Sequence, residues 1–321
     1  PYNIFIFKYF NNQNICFSNF LTERIVSMNI KPLTIGNLTA RLPIIQGGMG
    51  IGVSLSNLAS AVTKAGGIGI ISGAQPGYLE EDFKNNPLEA NLRALKKHIR
   101  IAKEKSQNGI IGVNLMVAMN NYAEHVKAAI DSGVDLIISG AGLPSHLPKF
   151  TKGSNVKIAP IVSSLKAAKV ILKLWDRHHK VSPDMIVIEG PKAGGHLGFT
   201  KESLEDESKK FDSTILDIIK ETSIYEDKYE KKIPIIVAGG VFDGKDIAKY
   251  LKLGASGVQM ATRFVATYEC DANIKFKEAY INCNKESISI VKSPVGMPGR
   301  AIRNSFVQFT ETEKSKVSHC Y

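Results

Sequence analysis

Apolar residues in this chain fall into two alternating patterns. Short runs that are apolar at nearly every position end in Gly, Asn or Ser, and the longer segments between them repeat their apolar residues at helical spacing. LPIIQGGMG (residues 42–50) is the first run. An Ala-rich amphipathic stretch follows at 56–65, with Ser54 or Ser56 as its cap and Gly66-Gly67 as its stop. GIGIISG (67–73) precedes a helix over 87–103, IIGVNLMV (110–117) one over 122–132, and DLIISGAGLP (135–144) only a short segment of weak helical character. KIAPIVSS (157–164) leads into a helix over 165–178 that holds Trp175, the only tryptophan. Residues 185–188 open the sixth run, followed by a charged insertion at 201–210 and a helix over 213–221. IPIIVAGGV (233–241) precedes a helix over 244–253 that starts after Asp243, and SGVQMATRF (256–264) is the eighth run.

A run that is apolar on successive positions is a strand buried on both faces, which calls for a parallel sheet covered by helices. Eight strand–helix units are the number that closes a barrel. The expected fold is therefore α/β, a (β/α)8 TIM barrel, with an open doubly wound sheet as the alternative. After Asn273 an extra helix and the irregular stretch SPVGMPGRAIRN (293–304) are expected to form a lid or small subdomain over about 270–321. Residues 1–27 are rich in aromatics and Asn, without the apolar core of a signal peptide, and Met28 stands directly before NIKPLTIG. They read as a leader outside the native protein, leaving 28–321 as a single barrel domain.

Composition narrows the function. At 321 residues and 44% hydrophobic, the chain can bury a sizeable core. Its net charge of +11 is spread over helix-like stretches such as KKHIRIAKEK (96–105), which reads as solvated faces and not as a nucleic-acid site. No stretch reaches the apolar length of a membrane span. Four cysteines without a CxxC pair fit a reducing, cytoplasmic setting.

In a barrel, the carboxyl ends of the strands converge on one face. Those ends supply Gly47, Gly48 and Met49, Asn114, Ser139 and Gly140, Ser163 and Ser164, Glu189, Gly194, Gly195 and His196, Gly239 and Gly240, and Gln259, Met260, Ala261 and Thr262. The set is rich in glycine and short of acids. A metallohydrolase would offer several ligands and a glycosidase a carboxylate pair, but only Glu189 and His196 qualify, so no metal site is read here. Backbone N–H groups bared by glycine, with a Thr hydroxyl, suit a phosphate or a flat ring, in particular after the seventh and eighth strands. His196, in the glycine-rich loop after the sixth strand, suits proton transfer near neutral pH. His98 and His125 fall on helices outside the barrel, His178-His179 end a helix, and His146 is a loop residue beyond the fourth strand. The chain has no cysteine between Cys16 and Cys270, which excludes the nucleophile that an IMP dehydrogenase needs after strand six.

LPIIQGGMG, VNLMV, IEGPKAGGHLGF, PIIVAGGV, GASGVQMATRF and SPVGMPGRAI together resemble the nitronate monooxygenase family, formerly 2-nitropropane dioxygenases, which includes the similar flavin-dependent enoyl-[acyl-carrier-protein] reductases. The resemblance spans about residues 29–304. It implies FMN, contacted by Asn114, Glu189, Gly194, Gly195, Gly239, Gly240 and Gln259 to Thr262, with Gly48 and Met49 near its ring. Many relatives have Gln where this chain has Glu189. It further implies His196 as the catalytic histidine, acting as base or orienting a nitronate that O2 then oxidises to a carbonyl compound and nitrite. The alternative it carries is NAD(P)H-dependent reduction of an enoyl thioester. Its expected partners are a small-molecule substrate and O2, with neither nucleic acid nor membrane; a homodimer is compatible with the sequence.

Overall fold

The computed structural model describes residues 30–293 and 296–312; the leader at 1–27, Cys16, Cys320, and Pro294 and Val295 of the C-terminal stretch lie outside the described residues. The chain divides after Ile30, and the second unit is Lys31–Tyr321. It begins with an antiparallel hairpin of β1 (Leu33–Ile35) and β2 (Leu38–Ala40). Strand and helix then alternate: β3 (Ile44–Gln46), α1 (Ser56–Lys64), β4 (Ile68–Ser72), α2 (Pro87–Lys105), β5 (Ile111–Met116), α3 (Tyr122–Asp131), β6 (Leu136–Gly140), α4 (Leu147–Phe150), β7 (Lys157–Val162), α5 (Leu165–His179) and β8 (Ile186–Glu189). The two-residue β9 (Gly195–His196) lies in the loop after β8, before α6 (Leu204–Tyr229), β10 (Ile235–Ala238), α7 (Gly244–Lys252), β11 (Gly257–Met260) and α8 (Thr262–Val265). A C-terminal segment adds α9 (Ile274–Ile281), β12 (Ile288–Lys292), β13 (Pro298–Ile302) and α10 (Ser305–Thr312).

Strands β3 to β8, β10 and β11 form a closed parallel barrel, in which β11 returns to pair with β3 through Val258↔Ile44, Gln259↔Ile45 and Met260↔Gln46. The eight units expected from the hydrophobic pattern are these eight strands. Period-2 alternation splits the apolar side chains between two cores. Ile45, Ile70, Ile138, Ala159, Val187 and Ile236 fill the barrel interior, while Ile71, Val113, Ile137, Ile188, Val237 and Val258 face Leu95, Ile99, Ile171 and Trp175 of the surrounding helices. Leu33, Ile35 and Ala40 of the hairpin belong to the interior core, and Gly36 at the hairpin turn stands against the Lys157 side chain where β7 begins. The hairpin thus occupies the end at which the strands start and leaves the opposite end open. Among the described residues no helix is long and apolar enough to cross a membrane.

Four local expectations are corrected. Neither Ser54 nor Ser56 caps α1. Its first-turn N–H groups donate instead to the Asp271 carboxylate, from Leu55 at 2.8 Å, Asn57 at 3.1 Å and Leu58 at 3.1 Å, while the Ser54 hydroxyl accepts from Met49 N–H at 2.7 Å. The charged insertion is helical: α6 runs through it for 26 residues, because Phe211, Ile215, Ile218 and Thr222 give one buried stripe and the charges take the solvent face. The eighth run stops as a strand at Met260, and Thr262 already begins α8. Within the stretch expected to be irregular, Pro298–Ile302 is a strand, paired on one side with β12 and on the other with β9. By contrast, Asp243 starts α7 as expected, in a capping box with Asp246.

Asp271 reaches α1 from more than 200 residues downstream, so it ties the C-terminal segment to the first barrel helix. Asp271→Ala should lower stability by about 1–3 kcal/mol, since three N–H donors lose a charged acceptor. A urea midpoint equal to that of the parent chain would remove the cap from the account of the fold.

Candidate active site

The alternation that fills the barrel also decides what faces its open end. On β8, Val187 points inward and Ile188 outward, so Glu189 points inward; on β11, Val258 and Met260 point outward, so Gln259 points inward; on β5, Val113 and Leu115 point outward, so Asn114 points inward. Glu189, Ala238 and Gln259 form one row across β8, β10 and β11. A carboxyl and a carboxamide therefore stand two strand spacings apart, roughly 9–10 Å, over a single methyl group.

Steric proximity brings most of the other expected residues to the same end. A Cβ built on Gly48 would lie 2.5 Å from the Asn114 side chain, and one on Gly47 3.3 Å from that of Gln259. Gly194 faces the Thr262 hydroxyl, with 3.9 Å between its Cβ position and Oγ1. Gly239 packs against the backbone of Gly190 and Ala193, where a Cβ would come within 2.7 Å of the Gly190 carbonyl and 3.1 Å of Ala193 N; its φ of +89° further favours glycine. Gly240 backs onto Lys192. The N–H groups of Gly194, Gly240 and Thr262 donate to no backbone carbonyl among the described residues. Two of the residues stand differently. Met260 points into the outer core and can offer only its backbone to the mouth, and Met49 packs beside Val53, Leu58 and Cys270 under the C-terminal segment.

His196 is half-buried on β9. Its strand pairs with β13 through Gly299↔His196 and Arg300↔Gly195, and Leu197 N–H donates to the Pro298 carbonyl at 2.8 Å. Burial holds the imidazole below its usual range, which favours its neutral form. Glu189 is only partly screened from water, yet protein encloses it enough that burial pushes its carboxyl up to about 7. No charged neighbour contributes to either shift. Among the described residues, His98 on α2 bonds the Ser56 hydroxyl at 3.0 Å, His125 is buried on α3, His179 at the end of α5 bonds the Ser145 carbonyl, and His146 is exposed at the start of α4.

The sequence reading missed Arg300. Its guanidinium donates to the carbonyls of Pro191 at 2.9 Å and Ala193 at 2.5 Å, in the loop leading to His196. No local pattern around Arg300 signals these partners, which lie more than 100 residues upstream.

Residues 31–321 match the family described as nitronate monooxygenase. A Staphylococcus saprophyticus protein named "Probable nitronate monooxygenase" is 26% identical over 304 residues, covering 87% of this chain and 81% of that protein. A Mycobacterium tuberculosis protein named "(3aS,4S,5R,7aS)-5-hydroxy-7a-methyl-1-oxo-octahydro-1H-indene-4-carboxyl-CoA dehydrogenase" is 27% identical over 270 residues, 84% of this chain but only 65% of that protein, less than two thirds of its length. Among solved structures, FabK from Thermotoga maritima superposes with a TM-score of 0.62 at 28% identity, covering 83% of this chain and 73% of that one. With nearly all of the described barrel inside the family match, the chain belongs to the nitronate monooxygenase family and is an oxidoreductase enzyme.

Proposed function

We propose that the chain is an FMN-dependent oxidoreductase that oxidises alkyl nitronates with O2 to carbonyl compounds and nitrite, with His196 as the base or nitronate-orienting group. The observation that carries this reading is an imidazole biased by burial toward its neutral form and held by the β9–β13 pairing in the glycine-rich loop after β8, in a chain of this family.

The residues at the mouth fit a flavin. Gln259 Oε1 is buried with no partner among the described residues, and such an atom calls for a donor from a ligand. Gly194, Gly240 and Thr262 present open N–H groups of the kind that hold a phosphate. Glu189 and Gln259 would face the ring, Asn114 and Gly48 would border it, and Gly194, Gly239, Gly240 and Thr262 would hold the phosphate. The flavin, when bound, supplies the electron-accepting chemistry.

The protein's own contribution is proton handling and position. An uncharged His196 can take the acidic α-proton of a nitroalkane, or donate a hydrogen bond to the oxygens of a nitronate already formed. Glu189, whose carboxyl burial pushes up to about 7, adds in its protonated form a second neutral donor at the mouth. Likeness to FabK and to a carboxyl-CoA dehydrogenase supports a second reading, NAD(P)H-dependent reduction of an enoyl thioester in the same site. An anaerobic absorbance titration of the flavin-loaded protein separates them. Bleaching by ethyl nitronate and not by NADH or NADPH is the expected result; rapid bleaching by a nicotinamide would put the reductase first.

His196→Ala should retain flavin and lose at least about 100-fold in turnover. In the parent chain kcat/KM should fall only as pH drops below the ordinary histidine value of about 6.5, because protonation removes the base. An acidic limb lying above pH 7 would assign the proton transfer to another group.

Glu189 makes a separate prediction. Its folded-state value of about 7 lies above its ordinary 4.5, so between these the folded chain binds the proton more tightly than the unfolded one. Stability contributed by the neutral acid is full below 4.5 and is lost as pH rises through 7. Glu189→Gln should abolish this slope and stabilise the ligand-free chain at pH 8 by on the order of 1–3 kcal/mol. Thermal unfolding between pH 5 and 8 reads it; parallel curves for the two chains would contradict the assignment.

A further inference from the structure

Arg300 sits in the middle of β13, opposite Gly195 on one side and Ile290 of β12 on the other. Its guanidinium is partly buried, and burial lowers its pKa, although an arginine remains charged throughout the physiological range. Among the described residues no carboxylate forms an ion pair with it. The charge instead meets two carbonyls of one loop, those of Pro191 and Ala193, through a single nitrogen, Nη1.

That loop needs an external hold. Between Ala193 and His196 it consists of Gly194 and Gly195; Gly195 has φ +73° and nothing within 4 Å of where a Cβ would stand. Such a segment has no side chain of its own to pack and a wide choice of backbone conformations. Two features oppose this freedom: the short β9–β13 pairing and the Arg300 grip on the carbonyls before it. The grip also sets peptide orientation. In a planar trans peptide the N–H points opposite to the C=O, so the N–H groups of Lys192 and Gly194 point away from the guanidinium. Neither donates to a backbone carbonyl among the described residues.

We propose that Arg300 is a positioning residue: from β13 it grips the carbonyls of Pro191 and Ala193, fixes the path of the Gly194-Gly195 link, and thereby sets where the His196 imidazole stands at the barrel mouth. The inference rests on the reading of His196 given above. A displacement on the order of 1 Å at a reacting group is enough to cost about 100-fold in rate, so a residue that never touches substrate can control turnover through this link.

The test compares Arg300→Ala and Arg300→Lys with the parent by two independent readouts. Steady-state kinetics on ethyl nitronate should show kcat reduced about 100-fold in Arg300→Ala with KM within threefold, about 10-fold in Arg300→Lys, and partial recovery of Arg300→Ala on adding guanidinium chloride at millimolar concentration. Backbone hydrogen exchange of the ligand-free chains should show faster exchange over residues 190–198 in Arg300→Ala, with the barrel strands unchanged. Parent-like exchange over 190–198 together with kcat within twofold of the parent would overturn the proposal. Should Arg300→Ala fail to fold, Arg300→Lys carries both readouts on the same criteria. If His196→Ala turned over normally, the reading of His196 would fail, whereas the exchange measurement would still report whether Arg300 holds the loop.

Discussion

Closure of the barrel is the constraint from which the rest follows. Once β11 pairs with β3, all eight strands have two hydrogen-bonded neighbours and no edge remains exposed. A closed sheet also has one inside, and the period of two along every strand then sorts side chains without further choice. Val187 and Glu189 share a face for this reason, as do Gly257 and Gln259. The polar residues of the mouth are the last inward positions of strands whose earlier inward positions are packed core. Their separation is fixed by strand spacing, which makes the site rigid where it rests on strands and dependent on other supports where it rests on loops.

The two ionisable groups at this mouth share an unusual electrostatic character. Burial raises one and lowers the other, so each is shifted toward its uncharged form. A pocket lined this way is polar in its hydrogen bonding and penalises charge on these two groups, although the protein as a whole is strongly basic. The lysines and arginines lie mainly on helix surfaces, where Arg93 meets Glu80 and Asp82 and Lys249 meets Asp212. Overall charge is therefore a poor guide to this site.

The barrel was legible because a strand buried on both faces leaves an uninterrupted apolar run that few other elements produce, as in IGIIS of β4 and LIISG of β6. The mouth residues were legible because they are the ends of those runs. Three features were not. The β1–β2 hairpin has strands of three residues, too short for any period to show. The first part of α6 carries five charges among its first seven residues, so its apolar stripe becomes visible only from Phe211 onward. The β9–β13 pairing joins two residues of a glycine loop to a strand about 100 positions away, and no local pattern encodes such a contact. Arg300 was hidden for that reason: its role comes from its partners and not from its neighbours in sequence.

The same long-range pairing has a consequence for how the protein is made. On a ribosome the barrel strands emerge in order, and the loop bearing His196 is synthesised well before β13. At about 5–20 residues per second, the roughly 100 residues between them separate the histidine from its support by on the order of 5–20 s. Through that interval a nascent chain can own every strand of the barrel and still lack the pairing that holds the His196 loop. The pairing is thus among the last contacts the chain acquires, and it depends on a strand that lies outside the barrel.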